Sequence, residues 1–179
     1  RVGEDGVVVD APAFFCRSYL VSLGDLGRKD IRHVPGDAGT TQSFVDAKHF
    51  FNGFFVSSSS PSSLPSSSTR YEVVSGNHDL EGFDEFTTDS DNLQAWMDCF
   101  QKDTPYFVRT IGRRTLLIGL STTRFRDAPY SSHECYIDEA QLSWFEQTIQ
   151  SHPESDGLTI LVFSHAPIMG SGLRVLQNV

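Results

Sequence analysis

The chain has 179 residues, 39% of them hydrophobic and 21% charged, the composition of an ordinary globular domain long enough to enclose one sizeable core. Its formal net charge of −9 leaves no basic surplus for a phosphate backbone, which disfavours nucleic acid and anionic membrane as partners. A small phosphorylated substrate stays open, because a metal can supply the positive charge that the side chains lack.

The first predicted strand lies in SYLVSLGDLG and ends at Gly24 and Asp25. TTQSFVDAKHFFNGFF sets Phe44, Lys48, Phe51 and Phe55 near one face at helical spacing, with Ala47 and Phe54 beside them, and reads as a core-facing helix. SSSSPSSLPSSS, Ser57 to Ser68, has little to bury, and its serines and prolines predict a disordered surface loop inside one domain. YEVV, from Tyr71, is a short buried strand. NLQAWMDCF repeats the helical signal through Leu93, Trp96, Met97 and Phe100, with Asp89 or Ser90 as the expected N-cap. YFVRTIGRRTLLIGL reads as two strands joined by a tight turn at Gly112 and Arg113. In IDEAQLSWFEQTIQ, Asp138 is the expected cap, Gln141 completes a capping box, and Ile137 staples onto Leu142. LTILVF, Leu158 to Phe163, is the last strand. Strands and helices recur in mixed order, so the expected fold class is layered α/β.

Cys16, Cys99 and Cys135 are widely separated and form no C-x-x-C, which argues against a disulfide scaffold and a thiolate zinc site and leaves free thiols as the reading. No apolar run approaches bilayer length, and Arg1 opens no recognisable signal peptide. The expectation is therefore a soluble, intracellular protein. Since the chain also lacks an initiating methionine, it reads as a fragment or a processed product.

In such sheets reactive groups gather beyond the carboxyl ends of strands. Three strand ends fit that description: Gly24 and Asp25; Asn77, His78 and Asp79 in GNHD; and Ser164, His165 and Pro167 in SHAP. Carboxylate oxygen from Asp25, amide oxygen from Asn77 and imidazole nitrogen from His165 form a mixed set suited to manganese, iron or zinc. Asp25 has two oxygens and is the candidate to bridge two ions. His78 is then free for proton transfer, and Asp79 is the expected orienting partner of its imidazole.

GDLG, GNHD and SHAP, in this order and each after a strand, resemble the calcineurin-like metallophosphoesterase superfamily, over nearly the whole chain from Tyr19 to Leu173. The resemblance implies a four-layer αββα sandwich, incomplete in this chain, which residues 1–179 would form as a single partial domain. It implies two divalent metal ions, with Asp25 bridging and Asn77 and His165 on the second metal. His78 would contact the phosphate and assist the leaving oxygen, with Asp79 steadying it. The implied activity is phosphate-ester hydrolysis by metal-activated hydroxide, on a phosphorylated substrate of unassigned class. Two family motifs do not occur: there is no Asp-x-His, Asp10 in VVVDAP lacking the histidine, and no Gly-His-x-His before Val179. These absences motivate a second expectation, an inactive binding or scaffolding module on the same fold. A third is a serine or thiol hydrolase using His78 or His165 with Asp79.

Elsewhere, STTRFRDAPYSSH places Arg124, Arg126 and His133 in a loop that could line the site's rim, although arginines paired with Asp127 or Glu134 are the plainer reading. MGSGLR lacks the lysine of a phosphate-binding loop, and no G-x-S-x-G occurs.

Overall fold

A computed structural model describes residues 19–27, 37–56, 71–121, 123–124 and 135–166. The predicted Ser/Pro loop, Asp10, Cys16, Arg126, His133, Pro167 and the MGSGLR segment lie outside the described residues. Mixed α/β structure is present: strand β1 (Leu20–Ser22), helix α1 (Thr41–Val56), strand β2 (Tyr71–Val73), helix α2 (Asp89–Phe100), strands β3 (Phe107–Ile111) and β4 (Thr115–Leu120), the short strands β5 (Thr123–Arg124) and β6 (Cys135–Tyr136), helix α3 (Glu139–Gln150) and strand β7 (Thr159–Ser164). No helix among the described residues is long and apolar enough to cross a membrane.

Helical periodicity decides which side of α1 is buried: Phe44 and Phe51 lie in the core while Phe50 stays exposed. The Thr41 N–H at its start is capped from outside the helix, by Glu85 Oε2 at 2.8 Å. In α2 the N-cap is Thr88, one residue earlier than expected, its Oγ1 accepting from the Asp91 N–H at 3.0 Å. Asp89 belongs to the buried first turn of that helix.

Helix α3 departs from the capping-box expectation. Asp138 does cap it, accepting from the Gln141 N–H at 2.8 Å. The Gln141 side chain does not return to close a capping box; it accepts from the Ser121 N–H at 2.7 Å and donates to the Ser121 carbonyl at 2.8 Å. Ile137 packs on the cluster of Leu116, Ile118 and Leu120, and Leu142, its expected staple partner, is exposed. The reason in both cases is that β4 lies beside the helix start and offers a larger apolar face and unpaired backbone groups.

Strands β1 and β2 pair in parallel, with Leu20 opposite Tyr71. β3 and β4 form the predicted hairpin, Ile111 opposite Thr115, so the connection is the three residues 112–114, with Gly112 in the left-handed region at φ 61°. β7 joins the other edge of β4 in parallel, Leu120 opposite Ser164. Alternation along each strand then sorts the apolar residues into three clusters. Leu20, Tyr71 and Val73 face α1 and α2, meeting Phe44, Phe51 and Trp96. Tyr19, Val21 and Val74 point the other way and meet Phe107, Leu117 and Phe163 of the second sheet. The opposite face of that sheet, through Leu116, Ile118 and Leu120, packs on Trp144, Phe145 and Ile149 of α3.

A buried charge lies between the two sheets. Glu72 alternates toward the second sheet and is 5% exposed. It accepts from Lys102 Nζ at 2.6 Å and from Arg109 Nε at 3.0 Å. Lys102 is itself nearly covered and lies over the Phe107 ring. Paired charges of this kind add little net stability, yet removal of one member is costly because the other stays buried without a counter-charge. Glu72→Ala is accordingly expected to lower unfolding free energy by about 3 kcal/mol, measured by denaturant melts. A loss below about 1 kcal/mol would show that Lys102 re-solvates freely and that the cluster ties nothing together.

Candidate metal centre

The carboxyl ends of β1, β2 and β7 come together, because parallel pairing points each pair of strands the same way and the hydroxyls of Ser75 and Ser121 hydrogen-bond across from one sheet to the other. Directly beyond these ends stand Asp25, Asn77 and His165. His165 Nε2 lies 2.9 Å from Asn77 Oδ1 and 3.5 Å from Asp25 Oδ2. The three expected donors are therefore gathered from segments as far apart in sequence as Asp25 and His165, 140 positions.

Glycine makes this approach possible. Gly24 sits at φ 90°, and a Cβ there would overlap Gly76 N and come within 2.8 Å of Gly76 Cα. A Cβ at Gly76 would overlap the Asp25 carboxylate and lie 2.8 Å from Cε1 of His165. The two loops touch backbone to backbone, as only glycine permits. Asp25 is also left-handed, at φ 56°, a conformation that aspartate tolerates better than most residues.

Asp79 holds that conformation. Its carboxylate is fully buried and accepts the N–H groups of Asp25 at 2.9 Å, Leu26 at 2.6 Å and Gly76 at 2.7 Å. Successive backbone donors curled around one anion form a nest. Burial pushes the carboxyl up to about 7, reinforced by the charge of Asp25 and opposed by the three N–H donors. Its expected role as the partner of His78 is corrected: Asp79 bonds to neither imidazole, because its two oxygens are taken by backbone. The partner is Glu81, whose Oε2 lies 2.8 Å from His78 Nδ1. The serine or thiol hydrolase reading loses Asp79 as its orienting acid by the same observation.

His165 carries the strongest chemical signal. Its Nδ1 is 2.7 Å from the Leu23 carbonyl, an acceptor, so Nδ1 bears the proton and donates to it. Nε2 of the neutral ring is then a lone pair facing an amide oxygen and a carboxylate. Three acceptors pointed at one another are reconciled by a proton on Nε2, by a turned Asn77 amide that donates to it, or by a metal ion. The spacing suits a metal, because ligand atoms about 2.1 Å from one ion are ~3.0 Å apart in octahedral and ~3.4 Å apart in tetrahedral geometry. A histidine ligand whose second ring nitrogen donates to a backbone carbonyl is the usual arrangement at such sites. His165 Nε2 thus stands at ligand-to-ligand spacing from both oxygens. Among the described residues no group of three or more His, Cys, Asp and Glu side chains is placed to hold a metal, the third donor here being an amide.

Asp25 is divided between two tasks. Its Oδ1 accepts from the His78 N–H at 3.1 Å while Oδ2 faces His165. His78 is thereby anchored one residue from Asn77, with its side chain about one-third exposed at 36%. The loop carrying both is pinned from behind by Asn92, which is fully buried; it accepts from the Gly82 N–H at 2.9 Å and donates to the Gly39 carbonyl at 2.8 Å. Glu81 and Asn92 were not singled out from the sequence. For Glu81 the i, i+3 spacing from His78 was available as a signal; for Asn92, inside a helix, nothing local marked it. Side chains of the proposed rim residue Arg124 lie outside the described set, as do Arg126 and His133.

No family model, curated protein or solved structure matches the chain.

Asp79→Asn tests the nest. An amide can replace only one carboxylate oxygen as acceptor, so at least one buried N–H loses its partner, at roughly 1–3 kcal/mol. The expected readout is a thermal melt lowered accordingly, with amide exchange accelerated at Asp25, Leu26 and Gly76. Unchanged exchange at all three would remove Asp79 from this role.

Proposed function

We propose that the protein is a metal-dependent phosphoesterase of the calcineurin-like type, in which Asp25, Asn77 and His165 hold a divalent cation against a phosphate ester. The observation that carries this reading is the meeting of three acceptor atoms, Asp25 Oδ2, Asn77 Oδ1 and His165 Nε2, with the far nitrogen of His165 already committed to the Leu23 carbonyl. The layering supports it as well: α1 with α2, then β1–β2, then β3–β4–β7, then α3, joined by three apolar clusters, is the order of an αββα sandwich.

Bound manganese, iron or zinc would lower the pKa of a coordinated water and offset the charge of the phosphoryl oxygens. The side chains do the rest. Asp25, Asn77 and His165 bind; the Leu23 carbonyl fixes the His165 tautomer; Asp79 sets the backbone that presents Asp25 and Asn77. His78 has one ring nitrogen on Glu81 and its Nε2 without a hydrogen bond among the described residues, so Nε2 is the atom able to serve the leaving oxygen. The second of the two expected ions would draw ligands from outside the described residues.

A second reading, a catalytically inactive binding or scaffolding module on the same fold, is motivated by the Asp-x-His and Gly-His-x-His motifs that do not occur in the 179 residues. One experiment separates them: phosphate release from p-nitrophenyl phosphate by the full-length protein with added manganese, alongside metal content. Release is expected, abolished by EDTA. Asn77→Ala and His165→Ala should each weaken metal affinity by at least the ~10–100-fold that loss of an outer-sphere partner costs. No release across several metals and substrates would count against the phosphoesterase, and two tightly held ions per chain would dispose of the module.

A further inference from the structure

The loops that carry Asp25 and Asn77 each expose a large apolar side chain: Leu23 is 44% and Phe83 45% exposed. The other large apolar side chains exposed among the described residues, Phe50, Val108, Leu142, Leu161 and Val162, lie on helices or strands, where single exposures are ordinary. Leu23 stands beside the donors. Its carbonyl accepts from Nδ1 of His165 at 2.7 Å, so one imidazole ring separates that carbonyl from Nε2, and Gly24 and Asp25 follow it directly. Phe83 is tied to the other loop, its N–H donating to the Glu81 carbonyl at 2.8 Å while the Glu81 carboxylate rests against His78. Fixed charge on these loops is of one sign. Residues 23–27 and 76–83 hold three carboxylates, Asp25, Asp79 and Glu81, and no lysine or arginine.

We propose that the site takes phosphate monoesters of uncharged apolar alcohols, whose alkyl group lies against Leu23 and Phe83 while the phosphate meets the cation held by Asp25, Asn77 and His165. This rests on the phosphoesterase reading and adds the substrate class to it. A bound cation offsets the charge of one phosphate group. A carboxylate or second phosphate on the substrate would instead face loops whose fixed charges are carboxylates, and like charges set side by side oppose binding. A sugar would lay hydroxyls on two apolar side chains, giving up water without gaining hydrogen bonds. An alkyl chain meets neither penalty, and each methylene that leaves water against Leu23 or Phe83 favours binding. Selection of the organic group then belongs to the rim, and the chemistry at phosphorus to the donors.

The test is a series of esters of rising chain length. In the full-length protein with manganese, kcat/KM for hexyl phosphate should exceed that for ethyl phosphate by at least about tenfold, which is under half of what full burial of the added methylenes would give at about fourfold each. Phosphoserine and glucose phosphate should be hydrolysed more slowly than hexyl phosphate. Leu23→Asn and Phe83→Asn should each lower the hexyl-to-ethyl ratio by about threefold or more; the ratio cancels any change in folding or metal loading that affects both esters alike. Calorimetry with hexylphosphonate and ethylphosphonate, whose phosphorus–carbon bond is not hydrolysed, reads binding apart from turnover and should give the same preference and the same loss. A ratio near one in the wild type, or one unchanged in both variants, overturns the proposal. A wild type that hydrolyses no ester yet binds hexylphosphonate preferentially through Leu23 and Phe83 would sink the phosphoesterase reading while leaving the apolar rim intact.

Discussion

A single buried carboxylate, that of Asp79, ties the two loops of the centre to each other. Backbone at Gly24 and Asp25 is left-handed, and a chain turned that way presents consecutive N–H groups with no helix or sheet to receive them. Asp79 receives two of these and a third from Gly76. Because its own backbone belongs to the second loop, the bond lengths set the distance between loops, and hence between Asp25 and Asn77. The donor atoms of the centre inherit that distance.

Polar ties of a similar kind sit at both ends of the contact between the sheets. At the end nearer the centre, Ser75 hydrogen-bonds to Ser121, and Gln141 clasps the Ser121 backbone through both of its amide atoms. At the other end, Glu72 gathers Lys102 and Arg109. Between them lies the apolar cluster of Val74, Phe107 and Leu117. Apolar packing is nondirectional and tolerates sliding, whereas hydrogen bonds and ion pairs are lost when their partners shift. Such ties therefore set the alignment of one sheet on the other, and that alignment brings His165, at the end of β7, to Asn77, at the end of β2. The neighbouring loops are braced likewise: Asn92 bridges Gly39 and Gly82, whose backbones approach too closely for a Cβ on either.

Helices and strands could be read from local pattern because that pattern has a local cause. Phe44 and Phe51, or Leu116 and Ile118, recur at the period of the element that buries them. The helix starts were less secure. Thr88 displaced Asp89 as a cap, and Gln141 left its box for Ser121, because a side chain able to cap has several partners of similar strength and the neighbouring layer decides among them. Glu81 replaced Asp79 beside His78 for a comparable reason: adjacency in sequence turns successive side chains to different directions, while three residues of 3-10 turn bring them to the same side.

Residue types at the strand ends determined the chemistry available here: an oxygen-rich donor set with one imidazole, two further titratable groups, and glycines where backbones must touch. Those choices are carried by covalent structure and needed no neighbours to be recognised. Which groups face one another was decided only by tertiary contact. The convergence of Asp25, Asn77 and His165, the burial of Asp79 in its nest, and the pairing of Glu81 with His78 each join atoms whose separation depends on how the two sheets and their loops are stacked. Sequence distance carries no information about that stacking, because packing acts through space while periodicity acts along the chain.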